Sequence, residues 1–182
     1  MPRRGLNRLF RKTAVQEETI IVPSESAEET FRLGEILGMA ATGGEVIGLS
    51  GPLGVGKTVF VKGLAKGLGV TGSSVSSPTF ILVHPHEGRL PLSHIDLYRL
   101  EKEGDAEAIG LEEYLEGEGV AAIEWIEKGR SFLPRARLLI DLHYKEGDQR
   151  EIFVTASGIH YLQWIDQVKK NLLWKEVPRN GP

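Results

Sequence analysis

Gly51-Pro52-Leu53-Gly54-Val55-Gly56-Lys57-Thr58 is a complete G-x-x-x-x-G-K-[ST] phosphate loop. Each residue type in it has a physical task. Glycines admit positive φ, so successive backbone N–H groups can converge into a nest for an anion. A helix beginning at the end of the loop adds the positive end of its dipole. Lys57 supplies a point charge for the outer phosphates, and the Thr58 hydroxyl is a ligand for Mg²⁺. A chain with 22 glycines can match such a pattern by accident, but the flanks argue otherwise. The short apolar run Glu45–Ser50 (E-V-I-G-L-S) precedes the loop. Phe60, Val61, Leu64, Ala65 and Leu68 follow it at helical spacing, up to a stop at Gly69.

Working outward, Ser26-Ala-Glu-Glu29 reads as a capping box opening a helix to about Ala41. Its inward residues are Phe31, Leu33, Ile36, Leu37 and Ala40, and Gly43-Gly44 stops it. Thr19–Val22 is a candidate first strand. Residues 70–78 form a Ser/Gly/Pro loop, and Thr79–His84 and Leu92–Tyr98 read as paired strands around Glu87-Gly88. A helix near 106–116 leads to the strand Val120–Glu124. Arg137–Tyr144 and Glu151–Ala156 make a hairpin, and Tyr161–Trp174 carries a helical stripe. Helices and strands interleave around a phosphate loop, and later strands pair antiparallel. The expected fold is therefore α/β: a three-layer P-loop NTPase-like domain with a mixed, partly antiparallel central sheet. The expected divisions are a basic leader over 1–18, the P-loop ATPase domain over 19–157, and a C-terminal helix and tail over 158–182.

Composition narrows the function. A net charge of −3 over 182 residues argues against a general polyanion-binding surface. The absence of cysteine excludes a disulfide framework, a thiolate metal site and a catalytic thiol. No run approaches 18 apolar residues and no signal-peptide core is present, so a cytoplasmic protein with no membrane role is expected. The oligomeric state is not legible.

A phosphate loop needs an acid for Mg²⁺ at the C-terminal end of a neighbouring strand. Val120-Ala-Ala-Ile-Glu124 and Leu92-Ser-His-Ile-Asp96 both qualify. The bland alternatives are a rim pair of Glu124 with Lys128 and a turn cap by Asp96 toward Arg99. Thr79, after Ser76-Ser77-Pro78, suits a phosphate-sensing or water-positioning role, although composition alone favours an ordinary polar turn. His84-Pro-His86 lacks a third ligand and reads as a surface pair. Trp125 and Trp164 read as core residues, and the acidic cluster from Glu101 to Glu118 as a solvated helix face.

Other P-loop classes fit less well. A GTPase base-reading motif of the Asn-Lys-x-Asp type is absent, since the only asparagines are Asn7, Asn171 and Asn180. A small-molecule kinase needs an acceptor-binding acid after the loop helix and an arginine-bearing lid. Residues 70–90 hold one arginine, Arg89, and no Asp. A non-catalytic nucleotide-dependent adaptor stays open.

Four segments taken together resemble one family: the loop at 51–58, Ser77-Pro-Thr-Phe80, His94-Ile-Asp-Leu-Tyr-Arg-Leu100 and Ile123-Glu-Trp125. Their order and spacing over residues 19–157 are similar to those of the bacterial TsaE (YjeE) ATPases. These proteins take part in making threonylcarbamoyladenosine on tRNA. Thr30-Phe-Arg-Leu-Gly34 and Arg150-Glu151 fit the same pattern, whereas Pro52-Leu53 departs from relatives with an acidic residue after the first glycine. The resemblance implies ATP and Mg²⁺ as cofactors, with Mg²⁺ on Thr58 and Glu124. It implies Asp96 and Lys57 in hydrolysis with Thr79 in a switch-like loop, and Thr30 and Arg150 at the nucleotide beside residues 51–58. The implied partners are TsaD and TsaB, with tRNA met through that complex. No arginine finger is evident in the chain, so slow turnover completed by a partner is the expected behaviour.

Overall fold

A computed structural model describes residues 15–71, 83–100 and 110–172. The strands are β1 (Glu17–Ser24), β2 (Val46–Ser50), β3 (Val83–His86), β4 (Leu92–Asp96), β5 (Val120–Glu124), β6 (Arg137–Tyr144) and β7 (Arg150–Ser157). The helices are α1 (Ala27–Ala40), α2 (Lys57–Gly67), α3 (Leu111–Leu115) and α4 (Ile159–Leu172). Two 3₁₀ turns, Ile126–Lys128 and Arg130–Phe132, follow β5. The strands form one sheet in the order β1-β7-β6-β2-β5-β4-β3. The central neighbours β6, β2, β5 and β4 run parallel, while β1, β7 and β3 join antiparallel. This is the expected mixed α/β sheet.

Burial follows the parallel core. Every residue of β5 is buried, as a strand covered on both faces requires. On one face Ile47, Leu49, Leu138, Ile140, Ile152 and Val154 meet side chains of α1, α2 and α4. On the other, Val46, Ile95, Ala121 and Ile123 meet Leu111, Ile126 and the half-buried Phe132. The C-terminal helix joins the first core through Tyr161, Trp164, Ile165 and Val168, so Trp164 is the core residue its sequence suggested.

Local signals account for the ends of the helices. Ser26 caps α1 by accepting from the Glu29 amide at 3.3 Å. Glu29 reaches back to the Glu25 amide at 2.9 Å, one residue earlier than the usual capping box. At the end of α2, Gly69 takes φ +74°, and the Gly69 and Val70 amides donate to the Lys66 and Ala65 carbonyls. Arg89, from the β3–β4 turn, donates to the carbonyls of Gly38 and Ala41, closing the C-terminal end of α1.

The inward stripe of α1 keeps the expected Leu33 and Leu37, with Ile36 and Ala40 packed against the core, but also buries residues outside the expected set. Its buried residues are Thr30, Leu33, Gly34, Leu37 and Gly38, while Phe31, Ile36 and Ala40 are half-buried. The reason is backbone proximity to α2. A Cβ at Gly34 or Gly38 would lie 2.2 Å from the Phe60 carbonyl oxygen or 2.3 Å from that of Leu64. A Cβ at Gly63 or Gly67 would lie 1.8 Å from the Phe31 oxygen or 2.2 Å from that of Glu35. Gly34-x-x-x-Gly38 and Gly63-x-x-x-Gly67 thus pack against each other.

β1 and β7 extend slightly beyond the expected 19–22 and 151–156, and β6 keeps its expected limits. Thr79–Leu82 of the expected β3, residues 106–109 of the expected helix, the leader through residue 14 and the tail from 173 lie outside the described residues. No helix among the described residues is long and apolar enough to cross a membrane.

Candidate functional site

β2 delivers the phosphate loop to the C-terminal edge of the sheet, between two parallel neighbours that lie on opposite sides. That is the position at which open α/β sheets bind ligands. Gly51, Gly54 and Gly56 take φ of +126°, +78° and +119°, values that side-chain-bearing residues rarely adopt. At Gly51 a Cβ would also strike the Leu142 carbonyl oxygen at 2.5 Å. Gly56 caps α2, and Lys57 begins it. Val55 is fully buried and anchors the loop, whereas Pro52 contributes its carbonyl and Leu53 is exposed.

The loop is braced from behind. Tyr144 Oη donates to the Leu53 carbonyl at 3.0 Å, and Arg150 Nε donates to that of Val55 at 3.1 Å. Arg150 also bonds the Asp148 carbonyl. Thr30 is buried with its methyl facing Gly56 and its hydroxyl 2.8 Å from that of Ser24. Arg150 therefore bonds the loop backbone, and Thr30 faces it at Gly56.

The acids stand beside it. Asp96 and Glu124 are register partners at the ends of the parallel β4 and β5, and both are buried. Their Cα atoms are neighbours across one strand spacing, roughly 4.8 Å. Thr58 Oγ1 donates to Glu124 Oε2 at 3.0 Å, so the two expected metal ligands already meet. Lys128 does not pair with Glu124; its Nζ bonds the carbonyls of Tyr98 and Leu100. Asp96 accepts from the Tyr98 amide at 2.9 Å, which fixes its carboxylate at the rim. Thr79 lies outside the described residues.

Lys57 is buried and folded onto its own loop. Its Nζ donates to the carbonyls of Gly51 at 2.6 Å and Pro52 at 3.0 Å. Burial lowers its pKa from the ordinary lysine value, and the charges of Glu124, Glu127 and Asp96 oppose that shift.

Two participants were not legible as such. Trp125 is a site residue rather than simply core. Its indole centroid lies 3.6 Å from Lys57 Nζ, and its ring packs on Tyr98 at 4.9 Å. It holds φ +60°, the one positive φ at a non-glycine among the described residues, and this turns the chain directly after Glu124. A bulky residue there stores strain of roughly 1–2 kcal/mol. The second participant is His94, fully buried, with Nε2 2.8 Å from Glu124 Oε1. His84 and His86 are half-buried on the adjacent strand, and no group of three His, Asp or Glu among the described residues could hold a metal ion.

A cradle of positive-φ glycines, a lysine at its mouth and a threonine joined to a strand-end carboxylate have the chemistry that suits an anionic phosphate with a hard cation. The sequence profile of the family described as threonylcarbamoyl adenosine biosynthesis protein TsaE matches residues 24–152. The chain belongs to the TsaE family.

Its TsaE relatives include one from Bacillus subtilis, 41% identical over 145 residues that cover 79% of this chain and 90% of the relative. Another, from Treponema pallidum, is 44% identical over 131 residues, covering 72% and 96%. Both carry the description tRNA threonylcarbamoyladenosine biosynthesis protein TsaE. The crystal structure of YdiB from Bacillus subtilis superposes with a TM-score of 0.74 at 33% identity, over 86% of this chain and 97% of that one. The fold is thus P-loop NTPase-like.

Proposed function

We propose that this chain binds ATP with Mg²⁺, hydrolyses it slowly, and assists formation of the threonylcarbamoyl group on the adenosine beside the anticodon of tRNA. It acts in the cytoplasm with the TsaB–TsaD pair and meets tRNA through that complex. The observation that carries this reading is the Thr58–Glu124 hydrogen bond at the end of a complete phosphate loop, in a chain of the TsaE family.

The donor set fits the cofactors. A hydroxyl and a carboxylate are hard oxygen ligands of the kind Mg²⁺ takes. Mg²⁺, when bound, neutralises phosphate charge. Residues 51–56 hold the phosphates through backbone N–H groups, and Lys57 leaves the Gly51 and Pro52 carbonyls for the outer phosphates. Thr30 and Arg150 keep the loop in shape from behind. Asp96, with Thr79, orients the attacking water. The water oxygen forms a bond to the terminal phosphorus as the bridging bond to ADP breaks, and its proton leaves with the phosphate or the carboxylate.

Phosphate release from Mg-ATP, measured alone and with TsaB–TsaD, tests the reading. Slow release that rises with the pair is expected. No release in either condition would leave a kinase awaiting an acceptor or a passive adaptor as the better account.

A further inference from the structure

Glu124 has two oxygens with different jobs. Oε2 accepts from Thr58, the other expected Mg²⁺ ligand, and Oε1 is 2.8 Å from His94 Nε2. His94 is wholly excluded from solvent, and its Nδ1 is buried with no hydrogen-bond partner among the described residues. A carboxylate only accepts, so the hydrogen between Nε2 and Oε1 belongs to the histidine. With no acceptor for Nδ1 among the described residues, a proton there would be buried and unpaired, an unfavourable arrangement. The ring is therefore the tautomer with its proton on Nε2. The sheet holds it there: His94 lies opposite Ala122 in β5 and His84 in β3, at the centre of three paired strands.

We propose that His94 is a positioning residue: its Nε2–H fixes one oxygen of Glu124 so that the other is presented, beside Thr58, for Mg²⁺. The proposal rests on the phosphate-loop reading above. Groups that orient metal-binding carboxylates by hydrogen bonding typically change metal affinity by about 10–100-fold when removed. His94 does not reach the nucleotide in this role, so its loss acts on Mg²⁺ rather than on phosphate capture.

The test is the Mg²⁺ dependence of binding of a fluorescent ADP analogue to the full chain. Wild type is expected to bind the analogue more tightly as Mg²⁺ is added. In His94→Leu the Mg²⁺ concentration needed for half of that gain should rise about tenfold or more, while affinity in EDTA stays as in wild type. His94→Gln returns an N–H donor near the Nε2 position and should recover most of the loss. An unchanged Mg²⁺ requirement in His94→Leu, or a Gln variant as impaired as the Leu variant, would overturn the proposal and leave the phosphate-loop reading intact. Wild type without any Mg²⁺-dependent gain would overturn both. Should the Leu variant fail to fold, ¹⁵N-histidine NMR of the wild-type chain decides. Protonation of His94 at Nε2 agrees with the proposal, and protonation at Nδ1 contradicts it.

Discussion

Replacing Gly63 by alanine probes the contact that seats the phosphate-loop helix. The new Cβ would lie 1.8 Å from the Phe31 carbonyl oxygen and 2.7 Å from its carbon, both backbone atoms of a well-capped helix. An ordinary C···O contact is about 3.3 Å, so α1 and α2 must separate by about 1.5 Å at that point. Overpacking costs typically 1–3 kcal/mol, and a rigid neighbour puts this site near the top, about 3 kcal/mol. Alanine's better helix propensity returns about 1 kcal/mol. The net loss is about 2 kcal/mol, or roughly 4–8 °C in Tm for a chain of this size. Urea unfolding followed by circular dichroism would measure it, with Gly147→Ala as the comparison. Gly147 sits at φ +57° with nothing within 4 Å of a built Cβ, so that change carries only the backbone penalty of about 1–2 kcal/mol. A Gly63→Ala midpoint equal to or above wild type would refute the close-packing argument. Because Thr30 rides on α1 against Gly56, the same variant should also weaken nucleotide binding.

Arg89→Ala removes two charge-assisted bonds from the end of α1 and should cost about 2 kcal/mol in urea unfolding, although Arg89 itself is exposed. Nucleotide that draws Lys57 off the Trp125 indole should alter intrinsic fluorescence; the change should persist in Trp164→Phe and vanish in Trp125→Phe. Burial raises the pKa of Tyr161, whose Oη accepts from the Val46 amide. The folded state then holds that proton after the unfolded chain releases it near pH 10. Stability should therefore be complete below pH 10 and fall above it, by up to about 1.4 kcal/mol per pH unit relative to Tyr161→Phe until the raised pKa is passed. Asp96→Ala should bind ATP nearly as wild type does yet release phosphate more slowly, and unchanged turnover would return Asp96 to its turn with the Tyr98 amide.

The phosphate loop was readable because its chemistry is local: eight consecutive residues encode nest, charge and hydroxyl between a strand and a helix. The capping box at Ser26 and the Gly69 stop were readable for the same reason. What the sequence withheld is pairing between distant segments. The four glycines of α1 and α2 stand at plain i, i+4 spacing, but only the fold shows that the two pairs face each other. His94 entered the sequence reading only as the start of a family-like segment, with no role of its own, because its partner Glu124 is 30 positions away on a parallel neighbour. Trp125 read as core since an aromatic after an apolar strand usually is. Its left-handed φ, which turns the indole toward Lys57, has no sequence signature.

Equilibrium binding of Mg-ATP to wild type and to Lys57→Ala tests the account most directly. Wild type should bind tightly, and loss of the Lys57 charge should abolish that binding while the fold, checked by circular dichroism, persists. A folded Lys57→Ala protein that kept wild-type affinity would contradict the assignment of residues 51–58 as the phosphate site.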